Sequence, residues 1–471
     1  MPSMHKHPRV YAGRQRVVRI ACLVVSATIL LPVQAAIHTV DSASDHFDNV
    51  RGDGICADPL GRCTLRAAVM ETNAWPGADT ILLPPGIHAL TQPGIDDLGW
   101  SGDLDVRDDL SVIGAGALLT TIDANALERV IDVHAGVAMR TLTLRGLTLR
   151  NGRLDPPVQG SGGAGLRSAA ATTVELDDII VRDHRTENVG TGIAVDVAGC
   201  LRGRRVRVLD NRSFSAGTTI YVHGEDATTM ACFELEDSEI RGNLGMRAGA
   251  LHADYANVVL RRSLVADNEA GSGAGAFLFN LGAPALLENV TLSSNRGHVG
   301  AIMNDGFSRI DIVNSTITRN GSSKTMQAVA GGILDVHGGF GLVHLRNTIL
   351  AGNEQGWGFA DCNHANSEGG GNILGNAQTC LFAANPSDQL DVDPGLGPLA
   401  DHGGPTLSHR PGTSAIDRGI APGCPTTDQR GEPRPLDGDG DGTSTCDVGA
   451  LEAGARVDAI FANGFDGTGM R

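Results

Sequence analysis

Apolar and polar positions repeat along the middle of the chain, and the repeats are centred on one kind of residue. Five copies align on Asn243, Asn268, Asn295, Asn320 and Asn353, which are separated by 25, 27, 25 and 33 residues. Apolar residues stand ten, eight and three positions before each of these asparagines. Such alternation predicts two short, half-buried strands joined by a tight bend in every copy.

A third apolar segment follows a glycine-rich turn in each interval. These segments begin at Gly249-Ala250-Leu251, Gly275-Ala276-Phe277, Gly300-Ala301-Ile302 and Gly332-Ile333-Leu334. Three strands per repeat, with no helical pattern between them, predict stacked coils in which each strand pairs with its counterpart about 4.8 Å away. The sequence therefore predicts an all-β protein, a right-handed parallel β-helix with three sheets. The closing asparagines are predicted to adopt the left-handed backbone conformation and to hydrogen-bond one another between coils.

The start of the solenoid has a different pattern, because residues 64–74 carry a helical one. Thr64 can cap the helix, and Leu65, Ala68 and Val69 fall on one face. A solenoid exposes an apolar end unless something covers it. We therefore predict a short N-terminal capping helix.

The first 35 residues predict export. Three arginines precede an apolar run over 20–31, and Val33 and Ala35 place small residues before a cleavage point. This is the pattern of a signal peptide over 1–35, and the run is shorter than the ~20 residues of a spanning helix. We expect a secreted or extracellular protein, possessing no transmembrane segment in the mature chain.

Cysteine count and net charge agree with that compartment. Eight cysteines outside the leader fall into neighbouring pairs, predicted as disulfides by proximity alone: Cys56/Cys63, Cys200/Cys232, Cys362/Cys380 and Cys424/Cys446. The net charge is −17, which argues against binding of nucleic acid or an anionic membrane surface.

Both ends of the mature chain resemble known families. Cys63-Thr64-Leu65-Arg66-Ala67-Ala68 and the following Asn73–Ile81 resemble the CSLREA domain, with Ala67 in place of its glutamate. The segments 403–406, 414–417, 428–431 and 446–452 resemble the choice-of-anchor Q domain. With a pectate-lyase-like β-helix between them, the resemblance implies an exported, surface-associated protein and no defined reaction.

The resulting domain organisation has five parts. We predict a signal peptide over 1–35, a CSLREA-like cap over 36–78, the parallel β-helix over 79–383, a loop-rich choice-of-anchor Q-like C-terminal cap over 384–452 and a tail over 453–471.

Charged residues on successive coils form the first candidate site. Asp177, Arg204, Glu236 and Arg261 stand at equivalent positions, so the sign of the charge alternates from coil to coil. One interpretation is a cleft in which arginines pair with acidic sugars and carboxylates bind calcium. The other is a salt ladder that keeps like charges apart.

The ends of the third strands supply the catalytic candidates. Asp254, Asn280, Asp305 and Asp335 come near register there. Polygalacturonase-like and pectate-lyase-like β-helices place acidic groups on such a face, which makes Asp254, Asp305 and Asp335 the candidates. The sequence has none of the Asn-Thr-Asp, Gly-His-Gly or Arg-Ile-Lys sets of the hydrolases.

A run of alternating aspartate and glycine is the candidate metal site. Asp437, Asp439 and Asp441, followed by Gly442, resemble the start of a calcium loop, although Val448 stands where an EF-hand has its glutamate. The alternatives are a partial calcium site and a flexible acidic loop tethered by Cys424 and Cys446. The cofactor prediction is accordingly none, or calcium.

These observations favour a non-catalytic adhesin or envelope-associated scaffold, with polysaccharide or cell-surface components as partners. The alternative is a lyase or glycoside hydrolase acting on acidic polysaccharide. The two hypotheses differ in whether acid and base groups converge in a groove.

Overall fold

The computed structural model describes residues 35–136, 139–155, 162–187, 189–215, 217–323, 329–337, 342–354, 360–421 and 423–454. Three parallel sheets run along this part of the chain, so the chain is a right-handed parallel β-helix, as predicted. The predicted signal peptide lies outside the described residues except for Ala35, and so does the tail beyond Gly454.

The largest sheet, here called the long sheet, has 22 strands in the described residues. They are Ile37–Thr39, Asp79–Leu83, Gly86–Ala89, Leu110–Gly114, Thr120–Asp123, Arg140–Arg150, Thr172–Arg182, Cys200–Leu209, Ala231–Glu236, Glu239–Arg241, Ala256–Arg261, Leu264–Ala266, Ala285–Glu288, Thr291–Ser293, Ile310–Val313, Thr316–Thr318, Val343–Arg346, Ile349–Leu350, His364–Gly370, Ile373–Leu374, Leu381–Ala383 and Gln389–Leu390.

Two smaller parallel sheets complete the coils. The nine-strand sheet contains Leu104–Val106, Ile131–Val133, Leu166–Ser168, Ile193–Val195, Thr218–His223, Ala248–Asp254, Phe277–Asn280, Ile302–Asn304 and Ile333–Asp335. The seven-strand sheet contains Arg153–Leu154, Arg185–Thr186, Arg212–Ser213, Leu244–Gly245, Glu269–Ala270, Arg296–Gly297 and Gly321–Ser322. An antiparallel pair, Leu399–Ala400 with Ser408–His409, lies in the C-terminal segment.

Alternate residues of each coil point inwards, which gives the fold one continuous narrow core. In one coil Val258, Leu260 and Val265 are fully buried, whereas the side chain of Arg261 is 40% exposed. These are the positions at which the sequence pattern predicted apolar residues. Burial of aliphatic side chains in every coil is the main stabilising contribution of such a fold.

An asparagine ladder connects the coils, but its residues do not have the predicted backbone conformation. Asn243 Nδ2 donates to Asn268 Oδ1 at 2.9 Å, and Asn268 Nδ2 donates to Asn295 Oδ1 at 3.0 Å. The left-handed conformation belongs to the residue before each ladder asparagine, for example Asp267 with φ of 54°. That turn lets the next side chain point between the coils, where its amide can reach both neighbours.

The N-terminal cap contains the helix Leu65–Ala74, with Thr64 as its N-cap. The Thr64 hydroxyl accepts a hydrogen bond from the Ala67 backbone N–H at 3.0 Å. The helix is covered on more than its predicted apolar face, because Arg66 and Glu71 are also fully buried. Arg66 Nε lies 2.7 Å from Asp45 Oδ1, and the same guanidinium donates to three backbone carbonyls. The buried ion pair anchors the helix to the loops around it.

The C-terminal segment lies along the side of the solenoid and contacts consecutive coils. Asn289 Nδ2 donates to the Thr427 carbonyl at 2.8 Å, and Asn314 Nδ2 donates to the Asp447 carbonyl at 3.1 Å. Fully buried Gln429 accepts a hydrogen bond from the Thr291 hydroxyl at 2.6 Å. The motifs that resemble the choice-of-anchor Q domain therefore contribute to docking of this segment.

All four predicted disulfides are present: Cys56–Cys63, Cys200–Cys232, Cys362–Cys380 and Cys424–Cys446. The first lies in the cap and the last crosslinks the C-terminal segment. Four disulfides fit an oxidising, extracytoplasmic environment. Within the described residues, no helix has the length and apolar character needed to cross a membrane.

Candidate functional site

The charged rows predicted from the sequence lie on the outer face of the long sheet. Asp177 pairs in register with Arg204, Arg204 with Glu236, and Glu236 with Arg261. A second outward row, two residues earlier on each strand, contains Glu175, Arg202 and Glu234. The two rows border an open groove of about 310 Å³, here called the ladder groove.

Beneath the ladder groove, one coil lacks an inward side chain. Gly203 occupies the register position of Leu176 and Leu235 and lies between them. A Cβ atom at Gly203 would come within 2.7 Å of Leu235 Cδ2 and Val206 Cγ2. Leu235 therefore already occupies the space that a larger residue would need.

Most charges bordering this groove are already paired across coils. Arg145 lies 3.4 Å from Asp177, and Arg202 lies 3.6 Å from Glu234. Arg204 contacts Asp237 at 2.9 Å, and Arg261 lies 3.7 Å from Glu288. No histidine, tyrosine, lysine or cysteine is among the described residues that line the groove. This arrangement is a salt ladder, in which acids and arginines neutralise each other.

Asp254 is the catalytic candidate that the fold places among other reactive groups. On the nine-strand sheet, Asp254 accepts a hydrogen bond from the Tyr221 hydroxyl at 2.9 Å and lies 3.1 Å from His252 Nε2. His223 Nδ1 is 4.0 Å away on the adjacent strand. We call these four residues the Asp254 cluster. The two histidines and the tyrosine come from strands whose sequences gave no catalytic motif, so the cluster was not predicted.

The electrostatics of the Asp254 cluster follow from burial and hydrogen bonding. Burial favours the neutral carboxyl, but the nearby His252 ring and the hydrogen bond from Tyr221 outweigh it and lower the pKa of Asp254. Burial and the neighbouring Asp254 carboxylate raise the pKa of the Tyr221 phenol well above its usual value. The cluster thus holds an ionised aspartate against a neutral phenol, and His252 is fully buried beside it.

Asp335 does not share the Asp254 position, contrary to the sequence alignment. Asp254 pairs in register with Asn280. Asp335 pairs instead with Asn304, which in turn pairs with Phe279, the residue immediately before Asn280. The alignment used Gly332, but Ile333 is the residue in register with Ile302, so Gly331 is the equivalent glycine. A one-residue slip in a strand reverses the face of the side chain.

The three acidic candidates therefore do not converge. Asp335 is 1% exposed, and burial raises the pKa of its carboxyl. Asp305 directly follows Asn304, which places it in the row of Asn280. Three strand spacings of roughly 4.8 Å separate the coil of Asp254 from that of Asp335. Among the candidates, Asp254 has a hydrogen-bonded tyrosine and a histidine within 3.1 Å, and catalysis by Asp254, Asp305 or Asp335 stays a prediction.

The aspartate–glycine run has a different set of neighbours from the one predicted. Ligand oxygens of Asp437, Asp439 and Asp417 lie within 4.8 Å of one another, and Asp441 is not part of that group. Asp441 instead accepts a hydrogen bond from the Thr443 backbone N–H at 2.7 Å. Asp417 lies twenty residues earlier in the sequence, which is why the run alone did not reveal it. Calcium binding here stays a prediction.

Comparison with known proteins adds one structural likeness. No family model matches the chain, and no curated protein matches it either. Among solved structures, the crystal structure of pectate lyase Pel9A is similar, with 14% sequence identity and a TM-score of 0.42. The match covers 90% of this chain and 98% of that one. This likeness concerns the fold alone, and the resemblance to the CSLREA and choice-of-anchor Q domains stays a prediction.

Proposed function

We propose that the protein is a secreted or cell-surface β-helix that acts as a non-catalytic adhesin or envelope-associated scaffold. The observation that carries this proposal is the pairing of charges along the ladder groove. Arg145, Arg202 and Arg204 each lie within 3.6 Å of an acid on a neighbouring coil. A polysaccharide-cleaving groove needs an acid or base directed at the bound sugar, whereas these groups face one another.

Acidic polysaccharide at the cell surface is the proposed partner class. The ladder groove offers arginines about 50–60% exposed, at Arg202 and Arg204. A guanidinium can exchange an exposed surface carboxylate for a sugar carboxylate at little net cost, because exposed ion pairs contribute only about 0–1 kcal/mol. Binding of that kind is weak for one sugar and gains strength by repetition along a polymer.

The test is retention of the purified mature protein on immobilised acidic and neutral polysaccharides. We expect retention on an acidic polymer that falls at least tenfold in Arg202→Ala/Arg204→Ala. The matched control is Arg296→Ala, which removes an exposed arginine paired with Glu354 on another face. Equal loss in the control, or no retention by the unaltered protein, would count against the proposed partner.

The Asp254 cluster favours a second candidate, a polysaccharide lyase or glycoside hydrolase. Tyr221, His252 and Asp254 bring a phenol, an imidazole and a carboxylate within hydrogen-bonding distance. The same polysaccharides should therefore be assayed for unsaturated products and for new reducing ends. Turnover that is abolished by Asp254→Asn or by Asp335→Asn would replace the scaffold proposal with the enzymatic one. Absence of both products supports the scaffold.

A further inference from the structure

The first coils carry a group of acidic residues that the proposed function does not use. Asp105 and Asp132 pair in register on the nine-strand sheet, and Asp103 and Glu128 lie beside them. Their side chains are nearly inaccessible to solvent, at 1% for Asp105, 3% for Asp103 and 6% for Asp132. Four carboxylates in a buried group need compensation by cations.

Arginines supply only part of that compensation. Arg129 lies 3.0 Å from Asp103 and 3.2 Å from Asp132, and Arg167 lies 3.2 Å from the same Asp132 oxygen. Neither arginine reaches Asp105. The group therefore holds four carboxyl groups against two arginines.

One oxygen of Asp105 lacks a protein hydrogen-bond partner of standard geometry. Its Oδ1 lies 2.5 Å from His134 Nε2, but Oδ2 is buried without a hydrogen-bond partner. An unpaired buried carboxylate oxygen costs free energy, because its lost hydration is not replaced. A ligand from outside the protein would satisfy such an atom.

Asp105 also belongs to a group of potential metal ligands. Ligand atoms of Asp97, Asp105 and His134 all lie within 4.8 Å of one another. Asp97 is exposed and belongs to the loop before Leu104–Val106, whereas Asp105 and His134 come from neighbouring coils. One buried and one exposed carboxylate with an imidazole make a three-ligand set open to solvent on one side.

We propose that this set binds a divalent transition cation such as Zn²⁺, held by Asp97, Asp105 and His134. The imidazole decides the class of cation, since calcium and magnesium prefer all-oxygen sites while zinc accepts nitrogen and carboxylate ligands together. The cation would fasten the loop of Asp97 to the first coils, next to the capping helix. This site is independent of the adhesin or enzyme proposals.

The experiment is calorimetric titration of the chelator-treated mature protein with Zn²⁺, and separately with Ca²⁺, at neutral pH. We expect one zinc site and, at saturation with zinc, a raised melting temperature. Replacement by Co²⁺ should give visible absorption bands that report the coordination geometry of the site. Failure of zinc to bind, or calcium binding more tightly at this site, would overturn the proposal.

Variants separate this site from the other acidic groups. Asp105→Asn should remove the zinc-dependent rise in melting temperature, and it should fold, because it replaces a buried charge by a neutral group of the same shape. His134→Gln gives a second test and should also abolish the cobalt bands. The matched controls are His344→Gln, from the half-buried group of Asp311, His344 and Glu368, and Asp437→Asn. Loss of the zinc effect in either control, or its survival in Asp105→Asn, would contradict the assignment.

Discussion

Asp361 Oδ1 accepts hydrogen bonds from both the backbone and the side-chain nitrogen of Asn353, at 3.2 and 2.9 Å. Asn353 makes the same two donations that Asn320 makes to Asn353 itself. Asp361 therefore takes the place of the next asparagine and ends the ladder. Its second oxygen, Oδ2, accepts a hydrogen bond from the Asn376 backbone N–H at 2.7 Å. A carboxylate suits this position because both of its oxygens face donors.

The ladder-ending carboxylate should make stability depend on pH. Burial raises the pKa of Asp361 from 3.8 to about 6, against the opposing hydrogen bonds from Asn353 and Asn376. Between about pH 4 and 6, the folded state therefore keeps a proton on this carboxyl that the unfolded chain has already lost. The contribution of Asp361 to stability is greatest below pH 4 and falls as the pH rises through 6, by up to about 3 kcal/mol.

Asp361→Asn should remove that fall. The measurement is the free energy of unfolding in urea at pH 4, 5, 6 and 7, compared as a difference between the variant and the unaltered protein. Glu354→Gln, which changes an exposed carboxylate near Asn353, is the control and should reproduce the original slope. An unchanged slope in Asp361→Asn would show that the carboxyl titrates normally in the folded protein.

His184 should give the opposite dependence at the upstream end of the ladder. Its Nδ1 accepts a hydrogen bond from the Gly152 backbone N–H at 2.8 Å, and Nε2 lies 3.1 Å from the Leu149 carbonyl. Burial lowers the pKa of His184 from 6.5 to about 4. The unfolded chain therefore gains a proton first, and stability is lost as the pH falls from 6.5 through 4, by roughly 3 kcal/mol.

His184→Asn should keep the ladder and lose the acid sensitivity. An asparagine there can accept from Gly152 as Asn211 accepts from His184, although the smaller side chain leaves a cavity. We expect about 1–2 kcal/mol less stability at pH 7 and a flatter decline between pH 6.5 and 4.5, measured by urea unfolding. Burial also lowers the pKa of His409 to about 4. Because His409 is present in both proteins, its contribution cancels when the variant is compared with the unaltered protein. A decline as steep as in the unaltered protein would contradict this assignment.

Substitutions at inward and outward positions of one coil should differ sharply in how much stability they remove. Leu260 is fully buried, so Leu260→Asp places an unpaired charge in the core and should cost several kcal/mol or prevent folding. Arg261→Ala removes one exposed member of the salt ladder, 3.7 Å from Glu288, and should cost under about 1 kcal/mol. Thermal unfolding of the two variants checks the difference, and similar losses would contradict the observed orientation of this strand.

The sequence predicted those features of the fold that repeat in every coil. Asn243 and Asn268 recur at the same bend of successive coils because their side-chain amides hydrogen-bond each other there. The apolar positions eight residues before them place Leu235 and Leu260 in the core. Paired signs at Arg204 and Glu236 predicted the salt ladder for the same reason, since strands in register bring equivalent residues together. Periodic constraints are visible in a single sequence because each copy repeats them.

Features formed only once were missed. Asp417 joins Asp437 and Asp439 through folding of the C-terminal segment, and Tyr221 reaches Asp254 only because neighbouring coils stack. Arg66 falls on a helix whose pattern predicted one buried face, yet its partner Asp45 lies in a loop with no regular pattern. The error at Asp335 arose from two consecutive glycines, either of which fits the turn. Such contacts depend on loop lengths that no periodicity specifies.

The docking of the C-terminal segment should depend on Gln429. Its Oε1 accepts from the Thr291 hydroxyl, while Nε2 donates to the Thr406 hydroxyl at 2.9 Å and to the Leu407 carbonyl at 3.0 Å. Gln429→Ala leaves these buried groups without partners, at a cost of about 1–3 kcal/mol each when water cannot reach them. Because the coils have their own core, the expected result is local release of the segment while the solenoid stays folded.

Hydrogen exchange distinguishes local release from general destabilisation. In Gln429→Ala we expect faster exchange over 396–421 and 423–452, with the strands Ala256–Arg261 and Ala285–Glu288 as protected as in the unaltered protein. The control is Gln378→Ala, which changes an exposed glutamine and should leave exchange in both regions unchanged. Equal acceleration of exchange in the segment and in the coils would mean that the segment and the solenoid unfold as one cooperative unit. The contacts through Asn289 and Asn314 would then be required for the stability of the coils themselves.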